Sequence, residues 1–236
     1  MRIDKRVERL LKVKITTGLS MFDLLANVGI KDTYLSSEEQ NEFDRWFRMS
    51  MTELLSDPVL DTVAASYGLK AWDVLETLEV RGELKATAEF PGERNEVAAS
   101  YNPTRHRLYL RVPKWYMEEN VLAELNNSFI HEFDHAARET AIGLGENPYK
   151  GLPMKEKVWY AITDPREVSA LEAQVLELVT MGYTDEQIIA LLLDKFAEGE
   201  GEGVVEEPWQ RQLFVAYEHQ LNDLLRQVRE NYREFV

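Results

Sequence analysis

The stretch Ser128-Phe129-Ile130-His131-Glu132-Phe133-Asp134-His135-Ala136 holds two histidines four residues apart, in a run whose apolar residues recur at helical spacing. Leu122, Leu125, Phe129, Phe133 and Ala136 make one apolar stripe. A helix is therefore expected from about Glu118 to Ala141, stopped by Gly143 and Gly145. His131 and His135 share a different face of it, with Ser128 and Glu124 one and two turns earlier. The pair is separated by about 6 Å along the axis, which suits two corners of a tetrahedral zinc site. Glu132 follows the first histidine and projects beside the pair. From there its carboxylate can act as general base toward a water activated by such an ion.

A third protein ligand has to come from elsewhere. The metzincin pattern would place another histidine six residues after His135, but residue 141 is Ala. His106 precedes the motif in an expected strand or turn, and His219 lies in the last expected helix. Glu167, in Asp164-Pro165-Arg166-Glu167-Val168-Ser169-Ala170, is the favoured candidate. It comes after 31 intervening residues and opens the next helix, with the small Ala170 one turn on. A second reading competes: Asp164 is a good N-cap, Pro165 suits the first helical position, and Glu167 then occupies the capping-box position. Glu172, Asp164, Glu139, Glu146 and His219 are the other candidate ligands. Asp134 either orients a ligating histidine or is a solvated or ion-paired surface charge.

The rest of the chain sets the frame. Its 236 residues suit one large domain or two small ones, with 44% hydrophobic and 29% charged residues. Cysteine is absent, so any metal must be held by His, Asp or Glu. The net charge of −15 argues against a general nucleic-acid binder. No apolar run is long enough to span a bilayer, and the charged start, Met1-Arg2-Ile3-Asp4-Lys5-Arg6, is unlike a secretory signal. A cytoplasmic or virion-associated setting is expected. Residues 1–14 carry six Lys or Arg against Asp4 and Glu8, with Ile3, Val7, Leu10 and Leu11 at helical spacing. They read as an amphipathic helix with a solvated face, docked on the chain's own acidic domain; binding to a membrane or an acidic partner is the alternative.

Helices are expected at 2–13, 19–28, 37–56, 58–67 and 70–80, broken at Gly18, Gly29, Asp57-Pro58 and Gly68. Ser36 followed by Glu39 is a capping-box start, and Phe43, Trp46, Phe47, Met51 and Leu54 make a core stripe behind it. Leu84 to Phe90, Val97 to Tyr101 and Arg107 to Val112 read as three strands of a small antiparallel sheet. Residues 145–163 read as irregular. Helices follow at 165–181, at 184–197 and from Trp209 onward. The expected organisation is an N-terminal helical region (1–82), a core (83–198), an acidic linker (199–208) and a C-terminal helix (209–236).

Ala99-Ser100-Tyr101 through Arg107-Leu108-Tyr109-Leu110, the helix ending in His131-Glu132-Phe133-Asp134-His135, and Glu167-Val168-Ser169-Ala170 together resemble a gluzincin-type zincin. The likeness is greatest to small minigluzincin-like peptidase domains of phages and bacteria, and it covers about residues 84–182. It implies an α+β, zincin-like fold in which a small antiparallel sheet packs on the HExxH helix; the additional helices expected at both termini, in residues 1–80 and 199–236, match nothing in that family. It also implies that His131, His135 and Glu167 bind Zn2+, that water takes the fourth position, and that Glu132 is the base in peptide-bond hydrolysis. The strand beside the motif helix would line the cleft for a peptide or protein substrate. Tyr149, Tyr160, Tyr217 and His219 are candidate oxyanion donors. One rival class is a ferritin-like di-iron protein, which needs a second Glu-x-x-His pair that the chain lacks. The other is a non-catalytic zincin-fold binding or assembly module, with the N-terminal helical region as the surface for a protein partner.

Overall fold

The computed structural model describes residues 13–19, 36–84, 98–113, 116, 119–143, 156, 159, 162–199 and 208–232. Seven α-helices and four strands lie within them, and the chain divides into two compact units, Met1–Leu144 and Gly145–Val236. None of the described helices is long and apolar enough to cross a membrane. The class is α+β, as the sequence implies.

The first unit holds β1 (Lys14–Leu19), α1 (Ser37–Leu54), α2 (Pro58–Ser66), α3 (Ala71–Leu75), β2 (Glu79–Leu84), β3 (Ala98–Asn102), β4 (Arg107–Val112) and α4 (Glu119–Ile142). The strands form one sheet in the order β1-β2-β4-β3. Here the expectation of an antiparallel sheet fails. β1 pairs parallel with β2 and β2 parallel with β4, and only the edge strand β3 is antiparallel, to β4. The topology requires this: α1, α2 and α3 lie between β1 and β2 and carry the chain back, so the second strand can run in the same direction as the first. β3 and β4 are joined by a single 3-10 turn, Pro103–Arg105, which suits an antiparallel pair.

Two strands were hidden in the sequence. β2 takes the end of the helix expected at 70–80, of which only Ala71–Leu75 is helical. β1 falls between two expected helices, where Val13, Ile15, Thr16 and Thr17 form a β-branched run. The expected helices at 2–13 and 19–28 and the strand residues 85–90 lie outside the described residues, apart from Val13 and Leu19 at their edges.

The sheet has one apolar and one charged face. Val80, Leu84, Leu108, Leu110 and Val112 are buried on the first. Phe47 of α1, fully buried, lies against Gly82 so closely that a Cβ there would come within 2.8 Å of the ring. Burying a ring of that size contributes about 1.5–3 kcal/mol. On the other face Glu79 of β2 accepts from Lys14 of β1 (2.8 Å) and Arg107 of β4 (2.7 Å), a cross-strand set that favours this register. α1 starts as expected: the Ser36 N–H donates to Glu39 Oε2 (2.7 Å) and the Glu39 N–H to Ser36 Oγ (3.2 Å). Phe43, Phe47, Met51 and Leu54 are buried behind it, and half-buried Trp46 packs on Phe43 and Tyr116.

The second unit contains α5 (Pro165–Thr180), α6 (Asp185–Gly199) and α7 (Pro208–Asn231). The three helices pack on one another, and Leu176, Val179, Ile188, Leu192, Leu221 and Leu225 are buried in them. Arg229 of α7 donates to Asp185 of α6 at 2.7 Å. Gly182, with φ of +86°, ends the Met181–Gly182 turn after α5, a conformation that glycine adopts without the Cβ penalty. Of the segment expected to be irregular, Glu156, Trp159, Ile162 and Thr163 are helical, and the Thr163 hydroxyl donates to the Trp159 carbonyl four residues back.

Candidate metal centre

α4 forms where the sequence expects it, because Leu125, Phe129, Phe133 and Ala136 are all fully buried along one stripe. Leu122 of the expected stripe is only half-buried. Burial of the stripe leaves His131 and His135 on another face of the helix. His131 and His135, both half-buried, stand with ring centroids 4.9 Å apart and planes at 86°. Glu132, also half-buried, lies on the same helix between them in sequence. Gly143 takes φ of +76° at the C-terminal end, and its N–H donates to the Glu139 carbonyl.

Glu167 occupies the first turn of α5 and is half-buried. The cap of that helix is made by Asp164, whose Oδ1 accepts from the Arg166 N–H (2.9 Å). The Arg166 guanidinium also bonds Asp164, at 2.6 Å from Nη2. The hydrogen bond from Arg166 holds the Asp164 carboxyl below the usual range, against a smaller opposing effect of burial.

His131, His135 and Glu167 form a group that could hold a metal ion: each offers one ligand atom, and these atoms all lie within 4.8 Å of one another. A tetrahedral ion bonded at about 2.1 Å spaces its ligand atoms about 3.4 Å apart. Two imidazoles and one carboxylate are also the donor types that zinc takes in open, water-accessible sites.

The other candidates are placed elsewhere. His106 sits at the end of the 3-10 turn with φ of +44°, and its Nδ1 hydrogen-bonds the Tyr101 hydroxyl. Burial lowers its pKa, while a contact with the Val74 backbone and the charge of Glu139 work the other way. His219 is exposed on α7, and Glu172 is half-buried on α5. Neither belongs to the three-residue group among the described residues. Tyr217 is buried, which pushes its hydroxyl pKa up. Glu146, Tyr149 and Tyr160 lie outside the described residues.

Asp134 is not a solvated surface charge. It is 2% exposed, and its two oxygens accept from the Tyr67 hydroxyl at 2.9 and 3.1 Å. Nothing local in the sequence marks Tyr67, which is 67 residues away; only the fold makes the pair. No family model matches the chain, and no curated protein or solved structure matches it either.

Proposed function

We propose that the protein is a zinc-dependent metallopeptidase of the gluzincin type, in which His131, His135 and Glu167 hold the ion and Glu132 is the general base. The observation that carries this reading is the two-histidine, one-carboxylate group, with Glu132 next to the first ligand on the same helix. When bound, zinc supplies a Lewis acid that polarises a carbonyl and makes a neighbouring water more acidic. The chain's own part follows from its residue types. Two neutral imidazoles leave the ion's charge in place and one carboxylate reduces it by one unit. Glu132 takes the proton of the attacking water and returns it to the departing amine. Among the described residues no strand pairs with the outer side of β3, which stands beside β4 in the sheet that packs on α4. An extended peptide substrate can add there as a further strand.

The test pairs metal content with a cleavage assay on a peptide library. The reading expects about one zinc per chain, metal-dependent cleavage, and loss of cleavage in Glu132→Gln with zinc retained. A zinc-loaded protein that cleaves nothing under those conditions would instead favour a binding or assembly module on the same scaffold.

A further inference from the structure

α4 must present two imidazoles with metal-site accuracy, yet most of what holds it is apolar. Leu125, Phe129, Ile130, Phe133, Ala136 and Ala137 are fully buried. Such packing is strong but not directional, and it resists rotation of the helix about its own axis weakly. Ring nitrogens stand about 5–6 Å from a helix axis. A rotation of about 10° therefore carries them about 1 Å, whereas metal–ligand distances tolerate only about 0.2 Å. A directional contact on the flank of the histidine face would remove that freedom.

Tyr67 and Asp134 make such a contact. Asp134 is the residue before His135 and three after His131, so it lies on the flank of the histidine face. Its carboxylate is out of solvent, and the Tyr67 hydroxyl reaches both oxygens. Tyr67 itself is held at a fixed helix end. It is the C-cap of α2, with its N–H on the Ala64 carbonyl. Gly68 follows at φ of +74°, and the Leu69 N–H returns to the Ala64 carbonyl at 3.0 Å. A buried carboxylate is costly to leave without its donor, so the pair opposes any rotation that would separate it.

We infer that Tyr67 and Asp134 are positioning residues for the metal centre: their hydrogen bond sets the rotation of α4 so that His131 and His135 face the ion. On this account α2, in the N-terminal helical region, is a working part of the site rather than an appendage. The inference rests on the reading of His131 and His135 as zinc ligands.

The experiment compares wild type, Tyr67→Phe and Asp134→Asn, each as the full chain. Zinc affinity is measured by competition with a chromogenic chelator, the cobalt-substituted protein gives the ligand-field spectrum, and thermal unfolding is followed without metal. Removing an outer contact of this kind weakens metal binding about 10- to 100-fold. Tyr67→Phe is expected to fall in that range, with an altered cobalt spectrum and a metal-free Tm lowered by only a few degrees. Asp134→Asn keeps an acceptor for the hydroxyl and is expected to lose less affinity. If both variants unfold earlier but bind zinc with wild-type affinity and spectrum, the pair is merely structural and the inference is overturned. Should Tyr67→Phe fail to fold, unchanged affinity in Asp134→Ala, which removes the acceptor, overturns it equally. If wild type itself binds no zinc, the reading of the histidines fails first and takes the inference with it.

Discussion

Glu132 and Gly82 show how differently single residues act in this chain. Glu132 is half-buried on α4, and the proposed function gives it only proton transfer. Glu132→Gln removes the base while keeping size and shape. It is expected to leave zinc content and Tm unchanged and to lower cleavage by at least about 100-fold, measured as kcat/KM on whichever peptide the library yields. Gly82 is the reverse case, with no chemistry and no spare space. A methyl group there would sit 2.8 Å from the Phe47 ring, which is fully buried and cannot swing away. Gly82→Ala is expected to cost about 1–3 kcal/mol in urea denaturation, with zinc affinity nearly unchanged. The sequence marks the first residue openly, because two histidines four apart bracket it. It is silent on the second, because the closeness of β2 to α1 exists only once both are packed.

Among the elements, those with local signals are legible. The capping box of α1, the apolar stripe of α4 and the Asp164-Pro165 start of α5 each lie within a few residues of sequence, and each stands where expected. β1 and β2 are not legible in the same way, because their pairing depends on partners about 65 residues apart. The competing roles of Glu167 can be separated at this scale. Asp164 already caps α5 through the Arg166 N–H, so Glu167→Ala is expected to change metal-free stability by less than about 1 kcal/mol. Chelator competition should then show zinc affinity lower by orders of magnitude. Asp164→Ala is expected to do the opposite, costing about 1 kcal/mol. The cap also carries an acid sensitivity. Because the Asp164 pKa is depressed in the folded chain, chiefly by Arg166, its stabilisation is present above the ordinary value of 3.8 and is lost as pH falls through the lower folded value. Unfolding curves between neutral pH and pH 3 should therefore converge for wild type and Asp164→Ala at the acid end.

For the whole molecule, zinc held as proposed is a folding term. An ion that binds the native chain and not the unfolded one stabilises it by about 4 kcal/mol at a free concentration a thousand times Kd. Wild type is therefore expected to lose Tm when zinc is stripped and to regain it on re-addition, while His131→Ala should show neither change. The chain has 42 acidic residues and no cysteine, so loose surface binding of zinc is the main confounder, and affinity has to be read together with stoichiometry. The most direct test of the central claim is the zinc content of protein dialysed against a weak chelator, measured by elemental analysis for wild type, His131→Ala and His135→Ala. The account predicts about one zinc per chain in wild type and almost none in either variant. Full occupancy in a variant, or none in wild type, would contradict it.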